Sequence, residues 1–291
     1  MRFSLAFALT ALAAALGAPA SSAVGQETPA GFEAVKIEAP GERAAELTAY
    51  LRRPASDKPV PAIVALHGCG GLFTAVGRFS TREADWADRL VAEGYAVLFP
   101  DSFNPRGYRQ ICTIVGTDRP IRPRQRADDA AAAAVWLAQQ PFVDAARLAL
   151  LGWSNGGSTV LAAVDASRNA NRAPSFRAAI AFYPGCRPYA GRATWTPAVP
   201  LTILIGSADD WTPPEPCRAL AGQHAVRLIE YAGAVHGFDA PNSPRRTRTD
   251  VGLSARGDGL VEVGTDPVAR AAAIETVRGL LAHALRGPAA P

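Results

Sequence analysis

Short, uninterrupted runs of apolar residues alternate along the chain with longer segments whose apolar residues recur at helical spacing. The run Val60–Leu66 has no polar interruption, which is typical of a strand buried on both faces of a parallel sheet. The segment 80–93 instead places Trp86, Leu90 and Val91 on one helical face. This succession of strands and helices predicts a doubly wound α/β sheet.

The same two patterns recur through most of the chain. Strands are expected at 35–38, 47–51, 60–66, 95–99, 148–151, 178–182, 201–205 and 226–231. Helices are expected at 80–93, 126–139, 155–166, 213–222 and 266–285. The polar stretches before Pro123 and at 241–264 are predicted to be loops, the second a mobile surface loop. With no repeat or clear linker, residues 24–291 are expected to form one domain.

The N-terminus has the features of a secretory signal. Arg2 supplies positive charge, an apolar run follows at 3–16, and small residues at 18–20 and 21–23 offer cleavage sites. A membrane anchor is the alternative, but the run is shorter than the roughly 20 apolar residues that span a bilayer. We therefore expect a cleaved signal peptide at 1–23 and a periplasmic or secreted protein without stable membrane association.

Composition supports a folded protein and weakens one class of partner. Of the 291 residues, 48% are apolar and 19% charged, which favours a sizeable core over disorder. All but two of the 30 basic residues are arginine, so the arginines reflect a compositional bias. The basic run at 245–248 is therefore weak support for nucleic-acid binding, and no nucleic-acid partner is expected.

A candidate nucleophile follows the strand predicted at 148–151. The sequence Gly-Trp-Ser-Asn-Gly at 152–156 has the form Gly-x-Ser-x-Gly between a predicted strand and a predicted helix. A sharp turn in this setting exposes the serine hydroxyl above the sheet. Ser154 is therefore predicted to be a nucleophile, and the alternative is a serine that caps the helix.

A serine hydroxyl needs a base that takes its proton. Of the histidines, His236 follows the last predicted strand and fits the chain order Ser, acid, His. His67 begins a glycine-rich loop, whereas His224 and His283 are expected at the surface or in packing contacts. His236 is therefore the predicted base, and a loop histidine bonded to backbone is the alternative.

The acid that orients this imidazole is expected after the strand at 201–205. Asp209 and Asp210 both lie there, and Asp209 is preferred, with Asp210 as the alternative. Whichever carboxylate does not face His236 is expected to cap the helix that begins near Pro213.

Two backbone N–H groups are needed to stabilise an oxyanion. One is expected from Asn155, directly after the nucleophile, and the other from Cys69 in the loop His-Gly-Cys-Gly-Gly at 67–71. The alternative for these glycines is an ordinary tight turn.

Four cysteines lie beyond the predicted signal: Cys69, Cys112, Cys186 and Cys217. An even number in an exported chain indicates disulfides. Pairing of Cys69 with Cys112 and of Cys186 with Cys217 is favoured, because each pair lies in loops predicted to be neighbours. Free buried thiols are the alternative, and no metal site is expected because no Cys-x-x-Cys occurs.

Together these motifs resemble the dienelactone hydrolase family of the α/β-hydrolase superfamily. The resemblance is carried by the loop at His67, Phe-Pro-Asp at 99–101, Gly-Trp-Ser-Asn-Gly-Gly at 152–157, Ala-Phe-Tyr-Pro-Gly at 181–185, Asp209 with Pro213 four residues on, and His-Gly-Phe at 236–238. It spans most of the mature chain and implies the α/β-hydrolase fold, a mostly parallel doubly wound sheet flanked by helices.

The chain departs from the family pattern at three places. The family's namesake enzymes use a cysteine nucleophile, where this chain has Ser154, and a glutamate in the loop after the third strand, where it has none at 67–69. They also hold a substrate carboxylate with two arginines. Arg106 matches one of them, and Ala240 stands at the other position. The resemblance therefore favours ester or lactone hydrolysis by a serine triad over dienelactone itself.

Arg106 and Trp153 are the candidate substrate-binding residues. Arginines cluster around the loop expected over the site: Arg106, Arg109, Arg119, Arg122, Arg124 and Arg126. They either attract an anionic ester or lactone or are solvated side chains of an arginine-rich chain.

The sequence thus predicts an exported serine hydrolase that cleaves a small-molecule ester or lactone with Ser154, His236 and Asp209 and uses no metal or organic cofactor. The alternatives are a serine peptidase on the same fold and a non-catalytic envelope- or carbohydrate-binding protein.

Overall fold

The computed structural model describes residues 27–41, 44–169 and 175–286. The predicted signal peptide at 1–23 lies outside the described residues. The predicted apolar runs all become strands, and each keeps its place in the chain order.

In the described part of the chain, eight strands form one sheet. They are β1 (Glu33–Ala39), β2 (Ala45–Arg52), β3 (Val60–Leu66), β4 (Ala96–Pro100), β5 (Val143–Trp153), β6 (Ala178–Phe182), β7 (Leu201–Gly206) and β8 (Val226–Tyr231). Their order is β1-β2-β4-β3-β5-β6-β7-β8. Strand β2 pairs antiparallel with both β1 and β4. The six strands β4, β3, β5, β6, β7 and β8 all run parallel. The carboxyl ends of the parallel strands therefore meet at one edge.

Helices flank this sheet. They are α1 (Thr81–Ala92), α2 (Pro123–Ala138), α3 (Asn155–Ala163), α4 (Ala166–Asn169), α5 (Pro214–Gln223) and α6 (Pro267–Ala284). Helix α2 begins three residues earlier than predicted, because proline suits the first turn of a helix. Helix α6 begins after Asp266, whose carboxylate accepts the N–H groups of Val268 and Ala269. No helix in the described ranges is both long and apolar enough to cross a membrane.

The segment 241–264 is more structured than the sequence predicts. It contains β9 (Arg246–Arg248) paired antiparallel with β10 (Val261–Val263). Val251, Val261 and Val263 are buried and pack against Trp211. Three valines spread through a polar stretch give no periodic signal, so the sequence indicated only a loop.

Two disulfides connect loops at the carboxyl edge of the sheet. Cys69, after β3, is bonded to Cys112, in the long loop between β4 and α2. Cys186, after β6, is bonded to Cys217 in α5. These are the pairings that the sequence favours, and the described residues include no free cysteine.

Candidate active site

The turn between β5 and α3 holds Ser154 in a backbone conformation that few residues adopt. Its φ is 54° and its ψ is −113°, outside the regions that side chains prefer. Close packing around it requires glycine. A Cβ on Gly156 would lie 1.9 Å from the Leu66 carbonyl oxygen, and one on Gly152 would lie 2.5 Å from the Gly156 carbonyl oxygen. The strand and the helix therefore approach closely, and the hydroxyl is held at the sheet edge.

The structure brings the three predicted side chains into one hydrogen-bonded row. His236 Nε2 lies 3.0 Å from Ser154 Oγ, and His236 Nδ1 lies 2.8 Å from Asp209 Oδ2. All three residues are buried, and none of them is more than 8% exposed. With the carboxylate on Nδ1, the proton stays on that nitrogen and the Nε2 lone pair faces the hydroxyl.

The carboxylate of Asp209 is fixed by its own loop. Its Oδ1 accepts the N–H groups of Trp211 at 2.9 Å and Thr212 at 2.8 Å. The Thr212 hydroxyl lies 3.0 Å from Asp209 Oδ2 and 3.0 Å from the Tyr183 carbonyl oxygen. These contacts orient the second carboxylate oxygen toward His236.

Asp210 has a different partner. Its Oδ1 accepts the N–H of Glu262 in β10 at 2.8 Å, and its Oδ2 lies 3.4 Å from Arg256. The expectation that the second carboxylate caps α5 is therefore wrong. Asp210 instead attaches the β9–β10 segment to the loop that carries Asp209.

Two aromatic rings enclose the imidazole. The ring centroids of Tyr183 and Trp211 lie 4.5 Å and 4.6 Å from that of His236. Tyr183 has a φ of 36°, and its hydroxyl donates to Asp239 at 2.6 Å. Burial raises the pKa of Tyr183 well above its usual value, so the hydroxyl keeps its proton. The sequence motifs contain Tyr183, but no sequence pattern predicts that its ring packs against the imidazole of His236.

The two predicted oxyanion donors border the same cleft as Ser154. Asn155 is the first residue of α3, so its N–H has no acceptor within the helix. Cys69 lies in the loop after β3, which His67 supports. The His67 Nδ1–H donates to the Gly68 carbonyl oxygen at 2.8 Å, and Nε2 accepts the Ser102 N–H at 3.3 Å. Burial, with nearby Arg126, holds the pKa of His67 well below its usual value, so the ring is neutral.

The cleft above Ser154 has a volume of about 680 Å³. Its walls come from the start of α2 and the loop before it, the loop after β6, the loop after β7 with the start of α5, and the β9–β10 segment. Residues from these walls include Arg119, Arg122, Arg124, Arg187, Arg192, Trp211, Pro216 and Leu253. A larger groove of about 890 Å³ lies between β1 and α2, but it contains none of the three aligned side chains, so the chemistry belongs to the smaller cleft.

The two predicted substrate-binding residues are used elsewhere, and both predictions are corrected. Arg106 makes a two-pronged ion pair with buried Asp129, at 2.7 Å and 3.0 Å, and its side chain is 7% exposed. Trp153 is fully buried, and its indole N–H donates to Asp239 at 2.9 Å. Neither side chain is among those that border the cleft. Arg187 and Arg192 border it instead, and the sequence gives no signal for them because no motif contains them.

The fold and the aligned side chains define an α/β-hydrolase, with Ser, acid and His in that chain order after β5, β7 and β8. The model of the Dienelactone hydrolase family matches residues 47–284, and the chain belongs to that family. The family resemblance and the fold class predicted from sequence are thereby confirmed.

Two known proteins are similar to the chain in sequence, and a solved structure is similar in fold. A Bradyrhizobium protein named Probable 2-oxo-3-(5-oxofuran-2-ylidene)propanoate lactonase is 26% identical over 208 residues, 65% of this chain and 78% of that protein. Quorum-quenching protein AidA of Acinetobacter baumannii is 34% identical over 116 residues, 40% of this chain and 34% of that protein. The fold matches Thermogutta terrifontis esterase 2 with a TM-score of 0.61 at 20% identity, over 88% of this chain and 95% of that one. The chain is a carboxylic ester hydrolase, as the sequence predicts.

Proposed function

We propose that the protein is an exported serine hydrolase that cleaves esters or lactones through Ser154, His236 and Asp209. The observation that carries this proposal is the continuous row of contacts from Ser154 Oγ through His236 to Asp209. Each end of the row lies within hydrogen-bonding distance of the imidazole. An unactivated serine is a poor nucleophile, and this arrangement supplies the base that activates it.

In the proposed reaction, His236 Nε2 takes the Ser154 proton as Oγ bonds to the substrate carbonyl carbon. The carbonyl oxygen becomes an oxyanion. Protonated His236 then gives its proton to the leaving alkoxide, the ester C–O bond breaks, and an acyl-enzyme remains. Water repeats the sequence, with its proton passing to His236 and then to Ser154, and a carboxylic acid leaves. For a lactone, the released alcohol stays attached to the acid.

The oxyanion is proposed to lie between the N–H groups of Cys69 and Asn155. Both residues border the cleft beside Ser154. Each donor of this kind contributes about 3–4 kcal/mol of transition-state stabilisation. Because both donors are backbone groups, their contribution depends on how the two loops are held.

Export is proposed from the disulfides together with the predicted signal peptide. Disulfides persist in oxidising compartments such as the periplasm and the extracellular space. All four cysteines of the chain are paired, which is compatible with such a compartment.

The cleft favours substrates that carry negative charge. Five arginines border it: Arg119, Arg122, Arg124, Arg187 and Arg192. None of them forms an ion pair with a carboxylate of the described residues, whereas most arginines elsewhere do. Asp165 also borders the cleft, but its Oδ1 accepts from the Ser167 N–H and hydroxyl. An ester or lactone with a carboxylate is therefore proposed, and the propanoate named for the Bradyrhizobium relative is of this type.

Ser154→Ala tests the assignment of the nucleophile. The purified wild-type protein is expected to hydrolyse p-nitrophenyl esters and to be labelled by a fluorophosphonate, because both reactions need an activated serine. The variant is expected to lose both. Ser207→Ala is the matched control, since Ser207 is exposed and its hydroxyl bonds only the Gly233 N–H in the described contacts. Hydrolysis of a peptide amide at a comparable rate would favour the peptidase, and an inert wild-type protein would favour the binding protein.

The charge preference has its own test. Hydrolysis of 5-oxotetrahydrofuran-3-carboxylate is compared with that of its carboxamide by pH-stat. The wild-type protein is expected to prefer the carboxylate. The double variant Arg187→Gln/Arg192→Gln is expected to reduce the ratio of the two kcat/KM values by about tenfold or less, since each accessible ion pair is modest. An unchanged ratio would contradict this preference and leave the nucleophile assignment standing.

A further inference from the structure

A buried arginine lies directly behind the proposed oxyanion hole. Arg126, in the first turns of α2, has no solvent exposure, and its Nη1–H donates to Asn155 Oδ1 at 2.6 Å. Its Nε and Nη2 have no hydrogen-bond partner in the described part of the molecule. A guanidinium in this state is costly for the fold, so its placement calls for a function.

The carboxylates near Arg126 are already engaged. Asp129 is bound by Arg106 at 2.7 Å, and Asp101 accepts the N–H groups of Phe103 and Asn104 at 2.9 Å and 3.0 Å. Burial lowers the pKa of Arg126 to about 10, so the group is protonated at neutral pH. Among the described residues no carboxylate forms an ion pair with Arg126, so its positive charge remains in the interior without a direct partner there.

The same guanidinium is also connected, through Phe103 and His67, to the loop that carries Cys69, the other proposed donor. Its carbon lies 4.9 Å from the centroid of the Phe103 ring. The rings of Phe103 and His67 pack edge to face, with their centroids 4.6 Å apart. His67 donates to the carbonyl oxygen of Gly68, which precedes Cys69. Arg126 is thus packed between the supports of both donors, but it does not itself border the cleft.

We propose that Arg126 is a positioning residue for the oxyanion hole. It holds the Asn155 side chain from behind, so that the Asn155 N–H at the start of α3 keeps its direction toward the developing oxyanion. Its charge lies on the side of the site where negative charge appears, which favours the transition state over the uncharged substrate. This inference rests on the proposed serine mechanism and adds a residue that does not touch substrate.

The two ends of the contact are removed separately and together, in Arg126→Met, Asn155→Ala and the double variant. Asn155→Ala keeps the backbone donor. Each single variant is expected to lower kcat by about tenfold to a hundredfold with KM changed little, which is less than deletion of a whole donor causes. The double variant is expected to lose about as much as one single variant, because both changes break the same contact.

Two further measurements separate positioning from stability. Arg126→Lys is expected to recover part of kcat, since it keeps a buried cation. Affinity for an arylboronic acid, which forms a tetrahedral adduct with serine, is expected to fall with kcat. Leu137→Ala is the control: Leu137 is fully buried on the same helix, and its loss is expected to lower the melting temperature while kcat stays within about twofold.

Unchanged kcat in folded Arg126→Met, or additive losses in the double variant, would overturn the proposal. If Arg126→Met does not fold, Asn155→Ala decides alone, and an unchanged kcat there overturns it equally. Wild-type protein without esterase activity would instead contradict the serine mechanism, so the two failures are distinguishable.

Discussion

The two sides of Ser154 are built differently. On one side, the side chains of His236 and Asp209 have a proposed chemical role. The Thr212 hydroxyl and the rings of Tyr183 and Trp211 hold them through neutral contacts. On the other side, the proposed donors are main-chain N–H groups, which surrounding side chains hold in place. That second side uses a disulfide and a buried neutral imidazole.

This difference determines what a substitution can do. Replacing a reactive side chain removes a function directly. Replacing a residue on the main-chain side leaves the N–H in place, since nearly every residue carries one. Such a change acts through the position of the donor or, at Arg126, also through its charge. Effects on the two sides should therefore differ in size, and those on the main-chain side should accompany losses of stability.

Asp209→Asn gives the largest expected effect. An amide at this position favours the wrong imidazole tautomer, and kcat is expected to fall about 10⁴-fold, as in other serine triads. Asp210→Asn is the matched control one residue on, because Asp210 bonds the Glu262 N–H instead of His236. Its kcat is expected to stay within about threefold. Steady-state kinetics with an aryl ester checks both, and equal losses would contradict the assignment of the acid.

Removing the two disulfides separates stability from position. Cys69→Ser/Cys112→Ser and Cys186→Ser/Cys217→Ser open loops with sequence separations of 43 and 31. On the chain-entropy estimate each change costs about 4 kcal/mol of stability. The first is expected to lower kcat more, since Cys69 is a proposed donor. Denaturant unfolding and kinetics check this, and equal losses of kcat would contradict the special place of the first bond.

His67 links the main-chain side to pH. Its pKa is lowered in the folded protein by burial and by Arg126, whereas in the unfolded chain it is about 6.5. Below that value the unfolded state binds the proton more readily, so this contribution to stability is present above pH 6.5 and is lost as the pH falls. His67→Gln is expected to show a smaller drop in melting temperature between pH 7.5 and 5 than the wild type. Parallel curves for the two proteins would exclude this linkage.

The side chains of Ser154, His236 and Asp209 could be predicted from sequence. For the main-chain donors, the sequence indicates the two loops but not the side chains that hold them. Ser154, His236 and Asp209 follow strand ends, and the structure brings their side chains together. Sequence favours Asp209 but leaves Asp210 as an alternative, because the two residues share one loop and the backbone turn decides which carboxylate faces the imidazole.

The two incorrect substrate-binding predictions concern the direction in which each side chain points. Arg106 and Trp153 lie in the right motifs, but Arg106 turns to Asp129 and Trp153 turns to Asp239. Asp239 accepts bonds from Trp86, Trp153 and Tyr183, which are far apart in sequence. No local pattern shows such a convergence, because it depends on how the sheet and helices pack.

Trp211 has a consequence that extends beyond the site. Its ring lies against His236, and its side chain also packs against the valines of the β9–β10 segment. The β9–β10 segment takes no part in the proposed proton transfer, but through Trp211 it is in packing contact with the proposed base, His236. Libraries that vary this hairpin should change turnover as well as substrate choice, so selectivity and speed in this enzyme would evolve together.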